Sequence, residues 1–87
     1  MKYLNDERLA ELRIMGATLR QRLGVTAASV AETEDRIADT LDRLAGARPN
    51  DAERLRARAT QARLFAAEER ARAALYSAAP EPAEPAG

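Results

Sequence analysis

Chain breakers are few in this sequence, and they sit together. Residues 4–45 contain no proline and only two glycines, Gly16 and Gly24, while residues 51–79 contain neither residue type. Between these stretches lies Ala45-Gly46-Ala47-Arg48-Pro49-Asn50-Asp51. Proline clashes inside a helix and lacks an N–H, and glycine costs ~1 kcal/mol there. Such punctuation leaves one economical layout: two long helices joined at a single place. Gly46 is expected as the left-handed residue closing the first helix. Asn50, with Glu53 three residues on and the charge of Asp51 beside it, is expected to cap the second. The last stretch, Pro80-Glu81-Pro82-Ala83-Glu84-Pro85-Ala86-Gly87, reads as an extended tail. The expected organisation is a helical hairpin over 1–79, with helix 4–45, loop 46–50 and helix 51–78, followed by a disordered Pro/Glu/Ala tail at 80–87.

Composition then removes most kinds of chemistry. Alanine fills 21 of the 87 positions, arginine 13 and leucine 10, and the chain has no cysteine, histidine or tryptophan. Disulfides, Cys/His metal sites and imidazole-based triads are excluded. Fourteen basic residues balance fourteen acidic ones, so the electrostatic footprint of a nucleic-acid binder is missing. No apolar run approaches the ~18 residues of a membrane span. The first residues, Met1 to Arg8, turn acidic where a signal peptide needs an apolar stretch, which points to the cytoplasm.

Periodicity gives the helices their faces. Leu9, Leu12, Gly16, Leu19, Leu23, Thr26, Val30, Thr33, Ile37, Thr40 and Leu44 recur at alternating steps of three and four, a heptad seam with no charge in it. Ala10, Ala17, Gly24, Ala31, Ala38 and Ala45 form a small-residue stripe directly beside it. On the second helix Leu55, Ala59, Ala62, Phe65, Ala66, Ala73 and Tyr76 share one face, and Ala57, Leu64, Ala71 and Leu75 fall roughly opposite.

Charge order sets direction. Residues 8–23 carry four Arg to one Glu, 31–45 five acids to two Arg, 48–63 five Arg to two acids, and 64–87 four Glu to two Arg. Folding at 46–50, with paired positions summing to about 96, lays the Glu32–Asp42 block beside Arg54–Arg63. The pairing is antiparallel. At 1.5 Å per residue the helices would run roughly 60 and 40 Å, so the N-terminal end of the first has no partner within the hairpin. A core this thin implies self-association, most simply as an antiparallel four-helix dimer. Leu19, Leu23, Val30, Ile37, Leu44, Leu55, Phe65 and Tyr76 are the expected oligomer seam. Leu4, Leu9, Leu12, Ile14 and Met15, with Tyr3 nearby, are the candidate partner-binding residues of the projecting end.

Three features with chemical potential have plainer uses. Leu19 to Glu32 reads somewhat like a helix-turn-helix with Gly24 in the turn, and Ser29 with Glu32 fits a capping box. However, the heptad runs through 24–31 without slipping, and that tract has no charge for phosphates. Glu32, Glu34, Asp35, Asp39 and Asp42 line an outer face, and this face and Glu68-Glu69 are expected to be solvated or salt-bridged rather than metal-binding. Arg54, Arg56, Arg58 and Arg63 spread around the helix, which suits pairing within the protein more than an anion site. A small anionic effector between subunits is the lesser alternative. No catalytic residue, cofactor or metal is expected.

Two stretches, Glu32-Thr33-Glu34-Asp35-Arg36-Ile37-Ala38-Asp39-Thr40-Leu41-Asp42-Arg43-Leu44-Ala45 and Asp51-Ala52-Glu53-Arg54-Leu55-Arg56-Ala57-Arg58-Ala59, resemble small helical-hairpin proteins of actinobacteria. Those proteins have no settled activity. The resemblance covers about half the chain and implies a bacterial cytoplasmic protein. Sequence reasoning therefore expects an all-α antiparallel hairpin that is not an enzyme. It would act as an adaptor or regulator through coiled-coil contacts with itself or a larger protein. The alternatives are a transcription-linked regulator, holding a sigma factor or reading DNA through 19–32, and a structural subunit of a larger assembly.

Overall fold

A computed structural model describes residues 5–78. These form helix α1 (Asp6–Ala47), a single 3₁₀ turn (Pro49–Asp51) and helix α2 (Ala52–Ser77). The hairpin is antiparallel and slender, with extents of 69 × 23 × 15 Å. At the loop-distal end Gly24 lies against Ala73 and Tyr76, and nearer the loop Ala38 packs with Ala59 and Ala62. These contacting positions sum to 97 or 100, a register one to four residues beyond the expected sum of about 96.

Local chemistry explains the ends. The Asn5 side chain accepts a hydrogen bond from the Arg8 N–H at 2.8 Å, and Asp6 and Glu7 face the positive end of the dipole. The helix then passes through Gly24 and 19–32 without a break. At the far end the expectation for Gly46 fails. The helix continues through Gly46 to Ala47 and stops at Arg48 (φ −130°, ψ 79°). A residue before proline is pushed out of the α region, so Pro49 ends the helix rather than glycine. Asn50 does not cap α2 either. It sits inside the 3₁₀ turn, where the Ala52 N–H bonds the Pro49 carbonyl and the turn runs straight into the helix. Continuity removes the need for a side-chain cap.

The packed seam lies one residue beyond the aliphatic heptad. On α1, Gly24, Ala27, Ala31, Ala38 and Ala45 are buried, with Glu34 and Leu41 half-buried in the same rhythm. On α2, Leu55, Ala59, Ala62, Ala66 and Glu69 are buried, followed by half-buried Ala73 and Tyr76. Both rows keep the steps of a 3.5-residue repeat. Among the described residues the buried hydrophobic ones are seven alanines and one leucine. Two small faces let the backbones approach closely and trade dispersion contacts, whereas leucines between the helices would hold them apart. Close approach wins over side-chain bulk.

Candidate functional site

With alanine inside, the bulky side chains are left outside. Leu9, Leu12, Leu19, Leu23, Ile37 and Leu44 form a row along α1, flanking the α2 contact, and all are exposed. Leu19 is 57% exposed, Leu23 49% and Ile37 43%. Among the residues expected in an oligomer seam, Leu55 is buried in the hairpin core, while Val30 and Tyr76 are half-buried. Phe65, expected on the packed face of α2, is 43% exposed. Ala66 takes the buried place beside it, and of the Glu68-Glu69 pair, expected to be solvated or salt-bridged, the first is solvated and the second salt-bridged. Glu68 is exposed, but Glu69 is buried and its carboxylate is held at 2.7 Å by Arg72.

The projecting end carries the same row past the reach of α2. Helix α1 has 42 residues and α2 has 26, so 16 residues, about 24 Å, lie beyond the paired length. Leu9, Leu12, Ile14 and Met15 are exposed there, Ile14 most at 66%. Leu4 and the 80–87 tail lie outside the described residues.

Beside the row, α1 and α2 form a shallow groove lined by Glu34, Ile37, Leu41, Arg58, Ala62 and Phe65. Most of its lining is apolar, with Gln61 and one charge of each sign, Glu34 and Arg58, beside it. Sequence reasoning missed this groove because it set Phe65 on the packed face. The clue was available: Phe65 lies one position before Ala66, just as Ile37 lies one before Ala38.

Two threonines between the aliphatics, Thr33 and Thr40, have their polarity satisfied locally. The Thr33 hydroxyl donates to the Ser29 carbonyl at 3.1 Å and the Thr40 hydroxyl to the Arg36 carbonyl at 3.0 Å. With the hydroxyls turned to their own helix, the row offers methyl groups to anything laid upon it.

Charges pair across the hairpin. Arg63 reaches both Asp42 at 2.7 Å and Asp39 at 3.0 Å, and Arg70 pairs with Asp35. Hydrogen bonds to Asp42 and then Asp39 raise the Arg63 pKa above its usual value. Along the helices Arg36 pairs with Glu32 and Arg54 with Asp51. Much of the acidic row is thus occupied by arginine, as charge order implied. Among the described residues no three His, Cys, Asp or Glu side chains gather to hold a metal ion. None of the described helices is long and apolar enough to cross a membrane. The unbroken helix through 19–32 also supplies no turn between a positioning and a recognition helix.

No protein-family model, curated protein or solved structure matches the chain.

Proposed function

We propose that this chain is a non-enzymatic protein–protein interaction module, a small cytoplasmic adaptor or regulator that binds a helical partner along its aliphatic row. One observation carries the reading: the hairpin packs on alanine and leaves a heptad row of large aliphatics uncovered. Scattered exposed leucines are ordinary on a protein surface, but a periodic row over five heptads is an interface pattern. The magnitudes agree. Covering the exposed half of Leu9, Leu12, Leu19, Leu23, Ile37 and Leu44 is worth roughly 1 kcal/mol each. That total is comparable to the whole stability of a small domain, about 5–15 kcal/mol.

The test is a charge placed in the row. Leu23→Glu puts a carboxylate at a half-exposed position, so the hairpin keeps its helicity by circular dichroism. Light scattering reports any self-association. Affinity capture followed by reconstitution from purified components reports a heterologous complex. The reading requires at least one assembly with the wild-type chain, lost in the variant. A wild-type chain that is monomeric and reconstitutes with nothing, or an assembly indifferent to Leu23→Glu, refutes it.

A further inference from the structure

Resting on that reading, we infer that the occupant of the row is a second copy of this chain, laid antiparallel so that contacting positions of the two α1 helices sum to 49. In an antiparallel pair, the first residue of each heptad couple faces the second residue of a couple on its partner. With this sum Leu9 meets Thr40, Leu12 meets Ile37, Gly16 meets Thr33, Leu19 meets Val30 and Leu23 meets Thr26. Each of these five layers joins a bulky side chain to a smaller or branched one, or glycine to threonine, and Leu44 falls at the helix start beside Asn5. The Thr33 and Thr40 methyl groups can face the partner because their hydroxyls are bonded to their own helix.

The symmetry axis falls between Gly24 and Val25, within two residues of the middle of the Asp6–Ala47 helix. Each projecting end therefore crosses the stretch of the other copy that α2 already flanks. Leu12 of one copy lands beside Ile37 at the groove bordered by Phe65. Each end becomes a three-helix section, and the overhang is covered on two sides.

Charge supports this direction. The 8–23 segment carries four Arg to one Glu, and the 31–45 segment it would cross carries five acids to two Arg. Flanking these layers, Arg13 comes beside Glu34, the acid that lines the groove. A parallel pair would instead set each block against its own sign. Shifting the sum by one heptad changes the layers: 42 sets Ile37 against the N-cap Asn5, whereas 56 sets Leu9 against Ala47 and Leu12 against Leu44 in place of Ile37.

Cysteine is absent from the chain, so cross-linking can read the register directly. In the double variant Leu12→Cys/Ile37→Cys the two thiols of one copy lie 25 residues apart on one helix, about 37 Å, and cannot join within a chain. Mild oxidation should give a covalent dimer on a non-reducing gel, and the same product should form on mixing the two single variants. Leu12→Cys alone should not cross-link. A Leu12→Cys homodimer would instead show a parallel pair, and cross-linking of Leu12→Cys/Leu44→Cys in place of the 12/37 pair would show the sum of 56. Either result overturns the register. Sedimentation equilibrium of the wild-type chain should give a dimer. A monomer throughout the micromolar range overturns self-association, and a heterologous complex sensitive to Leu23→Glu would then leave the interaction-module reading standing. As an independent arm, Arg13→Glu and Glu34→Arg should each weaken the dimer about ten-fold, through two symmetric pairs, and restore it when combined. Absence of restoration places Glu34 away from Arg13 and overturns the alignment.

Discussion

The two halves of α1 carry one pattern under two circumstances. From Gly24 to Ala47 the small-residue stripe is pressed against α2, and Ala31 and Ala38 are completely buried. From Asp6 to about Leu23 the stripe continues through Ala10 and Ala17, yet both are exposed. The aliphatic row is exposed along most of the helix, beside α2 and beyond it alike. A heptad pattern therefore states that a face is made for a helix, while chain length decides whether that helix comes from the same molecule. The paired half is stabilised within the hairpin, and the unpaired half presents its pattern outward.

The largest effect should come from breaking close approach in the paired half. Ala38 is completely buried against Ala59 and Ala62. Ala38→Leu inserts three carbons where the backbones meet, an overpacking that costs about 1–3 kcal/mol. For a chain of this size that is a fall in Tm of roughly 4–20 °C, measurable by thermal circular dichroism. The mirror experiment is Leu9→Ala/Leu12→Ala in the unpaired half. Those side chains touch nothing buried in the hairpin, so helicity should persist at low concentration while association is lost. Equal destabilisation by both variants would end the distinction between the halves.

How far the sequence was legible follows from the same contrast. The two helices, their antiparallel sense and the pairing of Arg63 with the acidic row were readable from breaker placement and charge order. The packing stripe was not. Positions 23, 30, 37 and 44 and positions 24, 31, 38 and 45 are neighbours 100° apart, and the first set is far more hydrophobic. Ranking by hydrophobicity selects Leu23 and Ile37, whereas two alanine faces gain by proximity of backbones, which no single-residue scale records. The burial of Glu69 beneath its ion pair with Arg72 was hidden in the same way, because its charge outweighed its heptad place. Gly46 and Asn50 were read as caps from residue type alone, although Pro49 had already fixed where the chain turns.

Gly24 sharpens the comparison at the boundary between the halves. A Cβ built there would meet the Ala73 carbonyl oxygen and the Tyr76 Cβ at 3.6 Å, ordinary contact distances. The site is small because the stripe is small, with a methyl group to spare. Gly24→Ala should therefore raise stability by about 0.5–1 kcal/mol through the lower backbone entropy of the unfolded chain. That is several degrees in Tm. A loss instead would show that the helices approach more tightly at this end than elsewhere, and that glycine marks a true crossing point.

The smallest effect belongs to the ion pairs that hold the paired half in register. Arg63 bridges Asp42 and Asp39 but is solvent-exposed, so competition from water and salt leaves the bridge weak. Arg63→Gln should lower Tm by less than Ala38→Leu, and by less still in high salt, because screening has already removed most of what the bridge adds. The pH dependence has a definite sign. Hydrogen bonds to Asp42 and Asp39 raise the arginine pKa in the folded chain above its ordinary value. A group raised on folding contributes stability that is complete below its unfolded value and is lost only as pH climbs through the folded one. Titration of Arg63 itself therefore adds no slope between pH 5 and 9, and the wild-type advantage over Arg63→Gln should stay level across that window. An advantage that changed sharply near neutrality would assign the register to some other pair.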